Sequence, residues 1–103
     1  MRSFLLIALL SPLLFTACQT VAKYGRCYQQ TKDPDCLQQV LTRMEAGVDT
    51  AYVKEILGEP IDMGFDYRYL VDEQSEEGCP MGAVFHIGDG GKVSDMWFGA
   101  ICE

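Results

Sequence analysis

The sequence predicts a small α+β domain, with two N-terminal helices on one face of a three-stranded antiparallel sheet, in the order α-α-β-β-β. Three observations lead there. Apolar residues recur with helical period between Asp33 and Gly58, the period changes to two after Gly64, and a glycine-rich turn at Gly88–Lys92 splits the last apolar runs into a hairpin. Helices grouped before strands, with no βαβ alternation, belong against one face of one sheet.

The first helix starts at Asp33-Pro34, an N-cap followed by proline at the first helical position. Leu37, Val40, Leu41 and Met44 then form a single i, i+3, i+4, i+7 stripe, and Gly47 is expected to end it. Asp49 caps the second helix, and Val48 can staple onto Val53. Val53, Ile56 and Leu57 form its inner face, Gly58 stops it and Pro60 prevents continuation. Strands follow at Asp66–Val71, Met81–Ile87 and Val93–Phe98, with an acidic loop from Asp72 to Gly78.

The hairpin turn carries a second consequence. If Gly90-Gly91 form a two-residue loop, opposed residues have numbers that sum to 181. Ala83 then faces Phe98, Phe85 faces Met96 and Ile87 faces Ser94, an apolar set for the helix side. Val84 with Trp97, and His86 with Asp95, point the other way. The same sum sets Cys79 opposite Cys102, and directly opposed residues are within disulfide reach. Of three connectivities, Cys79–Cys102 with Cys27–Cys36 is favoured.

The chain opens Met1-Arg2-Ser3, followed by an uncharged run from Phe4 to Phe15. A bilayer-spanning helix needs roughly 20 apolar residues, so this run reads as a secretory signal. Leu14-Phe15-Thr16-Ala17-Cys18 resembles the bacterial lipobox. The resemblance implies a diacylglyceryl group on the Cys18 thiol, cleavage after Ala17 and acylation of the new amine. Gln19, in place of the aspartate that marks inner-membrane retention, implies the outer membrane of a Gram-negative bacterium, facing the periplasm. Each buried methylene contributes about 0.8 kcal/mol, so several acyl chains hold a small domain firmly. Removing Cys18 from five cysteines leaves an even set of four. The expected organisation is a signal peptide over 1–17, a lipidated tether over 18–26 and the α+β domain over 27–103.

Length and charge exclude other classes. With 103 residues there is room for one domain. The 86 residues after Ala17 keep all 15 acids and seven of the eight Lys and Arg, a formal −8. That balance disfavours nucleic acid and polybasic lipid attachment. So small a domain buries about 60–65% of its unfolded surface, which makes disulfide staples useful.

The motifs do not assemble into a catalyst. Cys27 and Cys36 stand nine apart and Cys79 and Cys102 stand 23 apart, unlike the close pairs of zinc sites or redox Cys-x-x-Cys. His86 is the only histidine and faces Asp95, an arrangement that reads as a surface ion pair. The acidic loop lacks the Asp-x-Asp-x-Asp-Gly calcium pattern, and Gly88-x-Gly90-Gly91 precedes no helix. No catalytic, metal or cofactor residue is assigned. Val84 and Trp97, on the sheet face away from the helices, are the candidate partner surface.

From Val40 to Trp97 the chain resembles the SmpA/OmlA (BamE-like) family of small outer-membrane lipoproteins. The residues that carry this are Gly47-Val48-Asp49-Thr50, Val53, Ile56-Leu57-Gly58-Glu59-Pro60, Tyr67-Arg68-Tyr69, Val84-Phe85-His86 and Gly91-Lys92-Val93. Similar α-α-β-β-β units also build β-lactamase-inhibitor-type proteins. The resemblance implies a non-enzymatic binding role in outer-membrane assembly or envelope integrity, with an envelope protein as partner and the lipid anchor as membrane contact. The alternative is an inhibitor of a periplasmic or secreted hydrolase, β-lactamase-inhibitor- or lysozyme-inhibitor-like, presenting the Asp72–Glu77 loop.

Overall fold

A computed structural model describes residues 20–102; the expected signal peptide and Cys18 lie outside the described residues. The architecture is α+β, with three helices and a four-stranded antiparallel sheet ordered β1-β2-β3-β4. Helix α1 runs over residues 20–31, α2 over Pro34–Arg43 and α3 over Thr50–Leu57. The strands are β1 Ile61–Asp62, β2 Asp66–Gln74, β3 Pro80–Ile87 and β4 Val93–Ala100.

Two elements exceed the expected α-α-β-β-β order. Residues 20–26, expected as an irregular tether, are helical, and the core begins at Val21 rather than near Cys27. Val21, Tyr24, Gly25 and Tyr28 repeat at i, i+3, i+4 and i+7, with a glycine inside the stripe. Gly25 is there because α3 leaves no space: a Cβ would come within 2.2 Å of the Ile56 carbonyl oxygen. The second addition is β1, a two-residue strand in which Ile61 pairs with Arg68 and Asp62 with Tyr67.

The other elements form for local reasons. α1 ends at Lys32, whose φ of 58° turns the chain, and its N–H still donates to Tyr28 O at 2.8 Å. The Asp33 carboxylate then accepts from Asp35 N at 2.8 Å and opens α2, with Pro34 at its first position. α2 stops at Arg43 with Met44 as C-cap, short of Gly47, which instead turns the chain toward α3 at φ 98°. Asp49 occupies the N-cap of α3 without a side-chain cap bond; its carboxylate meets Lys92 Nζ at 2.9 Å. Gly58 closes α3 as expected, and its N–H donates to Lys54 O at 2.8 Å.

The helices cover one sheet face. Leu37 and Val40 of α2, Val53 and Leu57 of α3, and Tyr28 of α1 meet Tyr67, Tyr69, Ala83 and Phe85, all in one buried cluster. Each large apolar side chain so buried contributes about 1.5–3 kcal/mol. An aromatic line crosses the layers: Tyr28 meets Tyr69 edge-on at 6.1 Å, and Tyr69 meets Phe85 at 5.6 Å. Both phenols find acceptors, Tyr28 donating to Leu70 O at 2.6 Å and Tyr69 to Gly58 O at 2.9 Å. Burial pushes the Tyr28 phenol up to about 12, and burial with nearby Tyr28, Glu59 and Tyr67 pushes Tyr69 above the usual tyrosine range.

The hairpin register follows the sum of 181 from Met81–Ala100 to His86–Asp95. At the turn it departs. Ile87 pairs with Val93, not Ser94, and Asp89–Gly91 make a 3-10 turn in place of a two-residue loop. The bulge at Ser94 lets Val93 and Met96 both serve the helix side. β2 is also longer than expected: Asp72 and Glu73 lie inside it, within an irregular stretch between Leu70 and Gln74. Both expected disulfides are present, Cys27–Cys36 with a Cα–Cα distance of 6.0 Å and Cys79–Cys102 with 5.2 Å. The first ties α1 to α2 and the second joins the residue before β3 to the end of the described chain.

Candidate functional site

Sheet alternation builds the face away from the helices from Arg68 and Leu70 of β2, Gly82, Val84 and His86 of β3, and Asp95, Trp97 and Gly99 of β4. Direct pairing organises these residues into rows. One row crosses all four strands as Ile61–Arg68–Val84–Trp97. The next is Leu70–Gly82–Gly99 and the previous one Asp66–His86–Asp95. The face therefore holds a row of three apolar side chains interrupted by Arg68, a glycine-floored trough beside it and a polar row on its other flank.

Of the two residues singled out from the sequence, the structure leaves Trp97 38% exposed and Val84 only 2% exposed. Val84 is buried outside the main core cluster, between the directly opposed Arg68 and Trp97, so it supports the surface from beneath. The expected His86–Asp95 opposition is present in the register. The imidazole also has another partner: the Trp97 indole N–H donates to His86 Nε2 at 3.4 Å. The indole lies alongside Gly99, where a Cβ would be in ordinary contact with the ring at 3.5 Å.

Sequence reasoning missed the other half of the face. Ile61 is 49% exposed, Met63 40% and Phe65 62%, and all three sit on β1 or the turn that follows it. Ile61, Met63, Arg68, Leu70, Pro80 and Ile101 enclose a mostly apolar groove of about 370 Å³. One signal was available: Ile61, Met63 and Phe65 alternate with polar or small residues just after Pro60. Arg68, at the groove wall, is held by a charge pair, its Nε lying 3.3 Å from the buried Asp66 Oδ1.

Among the described residues, no group of three or more His, Cys, Asp or Glu side chains is arranged to hold a metal ion. No described helix is long and apolar enough to cross a membrane. The acidic residues Asp72, Glu73, Glu76 and Glu77 are all exposed, on the end of β2 and the loop after it. Ser75 organises that loop, accepting from Cys79 N at 3.1 Å through its hydroxyl.

The chain was compared with protein-family models, curated proteins and solved structures, and none matches it. The SmpA/OmlA resemblance rests on the residues quoted for it.

Proposed function

We propose that this chain is a lipid-anchored periplasmic binding module, held in the outer membrane through Cys18, that supports outer-membrane assembly or envelope integrity by gripping a protein partner. The observation that carries the binding reading is the groove beside Ile61, Met63 and Leu70, with Trp97 exposed at the other edge of the same row. A small domain with −8 formal charge gains nothing in solubility from exposing these side chains, and exposed aromatic and aliphatic anchors are what protein interfaces use. The lipobox-like Leu14–Cys18 segment carries the anchor reading.

A photo-crosslinking residue at Ile61 or Trp97, with one at Glu55 on the exposed side of α3 as control, tests the surface in a bacterial envelope. The expected result is one envelope protein captured from both Ile61 and Trp97 and absent from Glu55. Capture at Glu55 alone would refute the docking face.

Hydrolase inhibition is the second reading, and one observation favours it. Four exposed carboxylates occupy a hairpin end whose closing residue, Cys79, is bonded to Cys102. A clamped acidic loop is suited to a basic enzyme surface. An inhibition assay against a basic lysozyme, with Glu76 and Glu77 both replaced by Gln, separates the readings: loss of inhibition supports this one, and no inhibition by the unaltered chain removes it.

A further inference from the structure

α1 is fixed on three sides. Cys27 is bonded to Cys36, Gly25 lies against the Ile56 carbonyl, and the Tyr28 hydroxyl donates to Leu70 O. Thr20, where the described helix begins, follows Cys18 by two residues. Whatever their conformation, two residues span at most about 7 Å. We infer that the anchored domain has no slack and stands end-on against the lipid, with the start of α1 and the α2–α3 connection on the headgroups and the acidic end held away from them. This rests on the lipid-anchored reading above and adds the orientation.

The charges are distributed accordingly. Arg43, at the end of α2, stacks over Tyr24, one helical turn from Thr20. Arg43 and Lys92 line a cleft of about 520 Å³ with Met44, Val48 and Tyr52, so the α2–α3 connection and the start of β4 belong to this end. With Lys23 in the first turn of α1, this end balances Lys23, Arg43 and Lys92 against Glu45, Asp49 and Asp89. The opposite end of α1 departs from that balance. Lys32 O accepts from Asp72 N at 3.2 Å, which joins the α1–α2 turn to the acidic hairpin. Among the described residues, Asp33, Asp35, Asp72, Glu73, Glu76 and Glu77 lie on the α1–α2 turn, the first turn of α2 and the acidic hairpin, with Glu59, Lys32 and Arg68 lining a pocket beside them, so this end is acidic in balance. The 12 residues of α1 separate the two ends by about 18 Å. An anionic leaflet repels the second end and admits the first, whose charges balance. Tyr24 and Tyr52 add rings suited to the headgroup level.

The full lipidated chain in phosphatidylethanolamine and phosphatidylglycerol vesicles tests this, with part of the lipid brominated to quench tryptophan. The sequence has one tryptophan, so Trp97→Phe clears the background for single reporters at Tyr52→Trp or Glu76→Trp. The expected result is loss of emission from the Tyr52→Trp reporter and unchanged emission from the Glu76→Trp reporter. A 12-residue Gly/Ser insertion between Gln19 and Thr20, with an average span of about 17–21 Å, should restore the first signal. Equal quenching at both reporters, quenching at neither, or an insertion without effect would overturn the orientation. Mass spectrometry of the reconstituted chain separates the two failures: an unmodified Cys18 removes the anchor itself, whereas a lipidated Cys18 with the wrong quenching pattern removes only the orientation.

Discussion

Tyr28 shows how much a single side chain contributes here. Its ring packs against Tyr69 and its hydroxyl donates to Leu70 O, so ionising it would place a charge in the core and remove a donor. Its folded pKa of about 12 lies above the ordinary value near 10. The neutral form is therefore favoured by folding: the stabilisation is fully present below pH 10 and is lost as pH rises through 12. Thermal unfolding followed by circular dichroism from pH 8 to 12 should show a loss on the order of 2–3 kcal/mol from this group. Tyr28→Phe should be less stable at pH 8 by about 1 kcal/mol, because Leu70 O loses its donor, and should decline less steeply above pH 10. Gly25 gives a second test. The Ile56 carbonyl leaves no space for a Cβ, so Gly25→Ala should cost about 1–3 kcal/mol in unfolding free energy despite alanine's better helix propensity. A stabilised Gly25→Ala variant would show that α1 is not pressed against α3.

At the scale of elements, the two disulfides clamp different kinds of joint. Cys27–Cys36 closes a separation of nine residues across the α1–α2 turn, and Cys79–Cys102 closes 23 across the hairpin. Loop-closure entropy predicts about 3 kcal/mol for each, with the longer loop contributing slightly more. Replacing both members of a pair by Ser, and comparing denaturant midpoints, should give that order. The hairpin and its disulfide were legible in the sequence because a turn fixes register and register fixes which residues oppose. Only the last pair slipped, since Asp89–Gly91 take a 3-10 turn and Ser94 bulges out. β1 was not legible: two residues have no period, and they pair only because β2 offers Tyr67 and Arg68.

For the whole molecule, α1 is the element that turns a helix pair on a sheet into a closed core. Val21 and Tyr28 enter the same buried cluster as α2, α3 and the strands. Deleting residues 20–26 should therefore lower stability by about 2–4 kcal/mol, as measured by thermal unfolding, because a buried valine and the α1–α3 contact go with them. A mere tether could be removed without cost. The binding face depends on the same long-range assembly. Ile61 and Trp97, 36 residues apart in sequence, share one row only because four strands lie in order.

By itself the sequence determined what short-range rules control. The Asp33 cap and the period set α2, the period and Gly58 set α3, and the glycine turn set the hairpin with its Cys79–Cys102 bond. Tertiary structure decided the rest, since it depends on what lies opposite in space. Gly25 falls in a stretch that reads as a tether until Ile56 is against it, and Val84 reads as a surface residue until Arg68 and Trp97 flank it. Neither neighbour is close in the chain, and burial is a property of the assembled neighbours rather than of the residue.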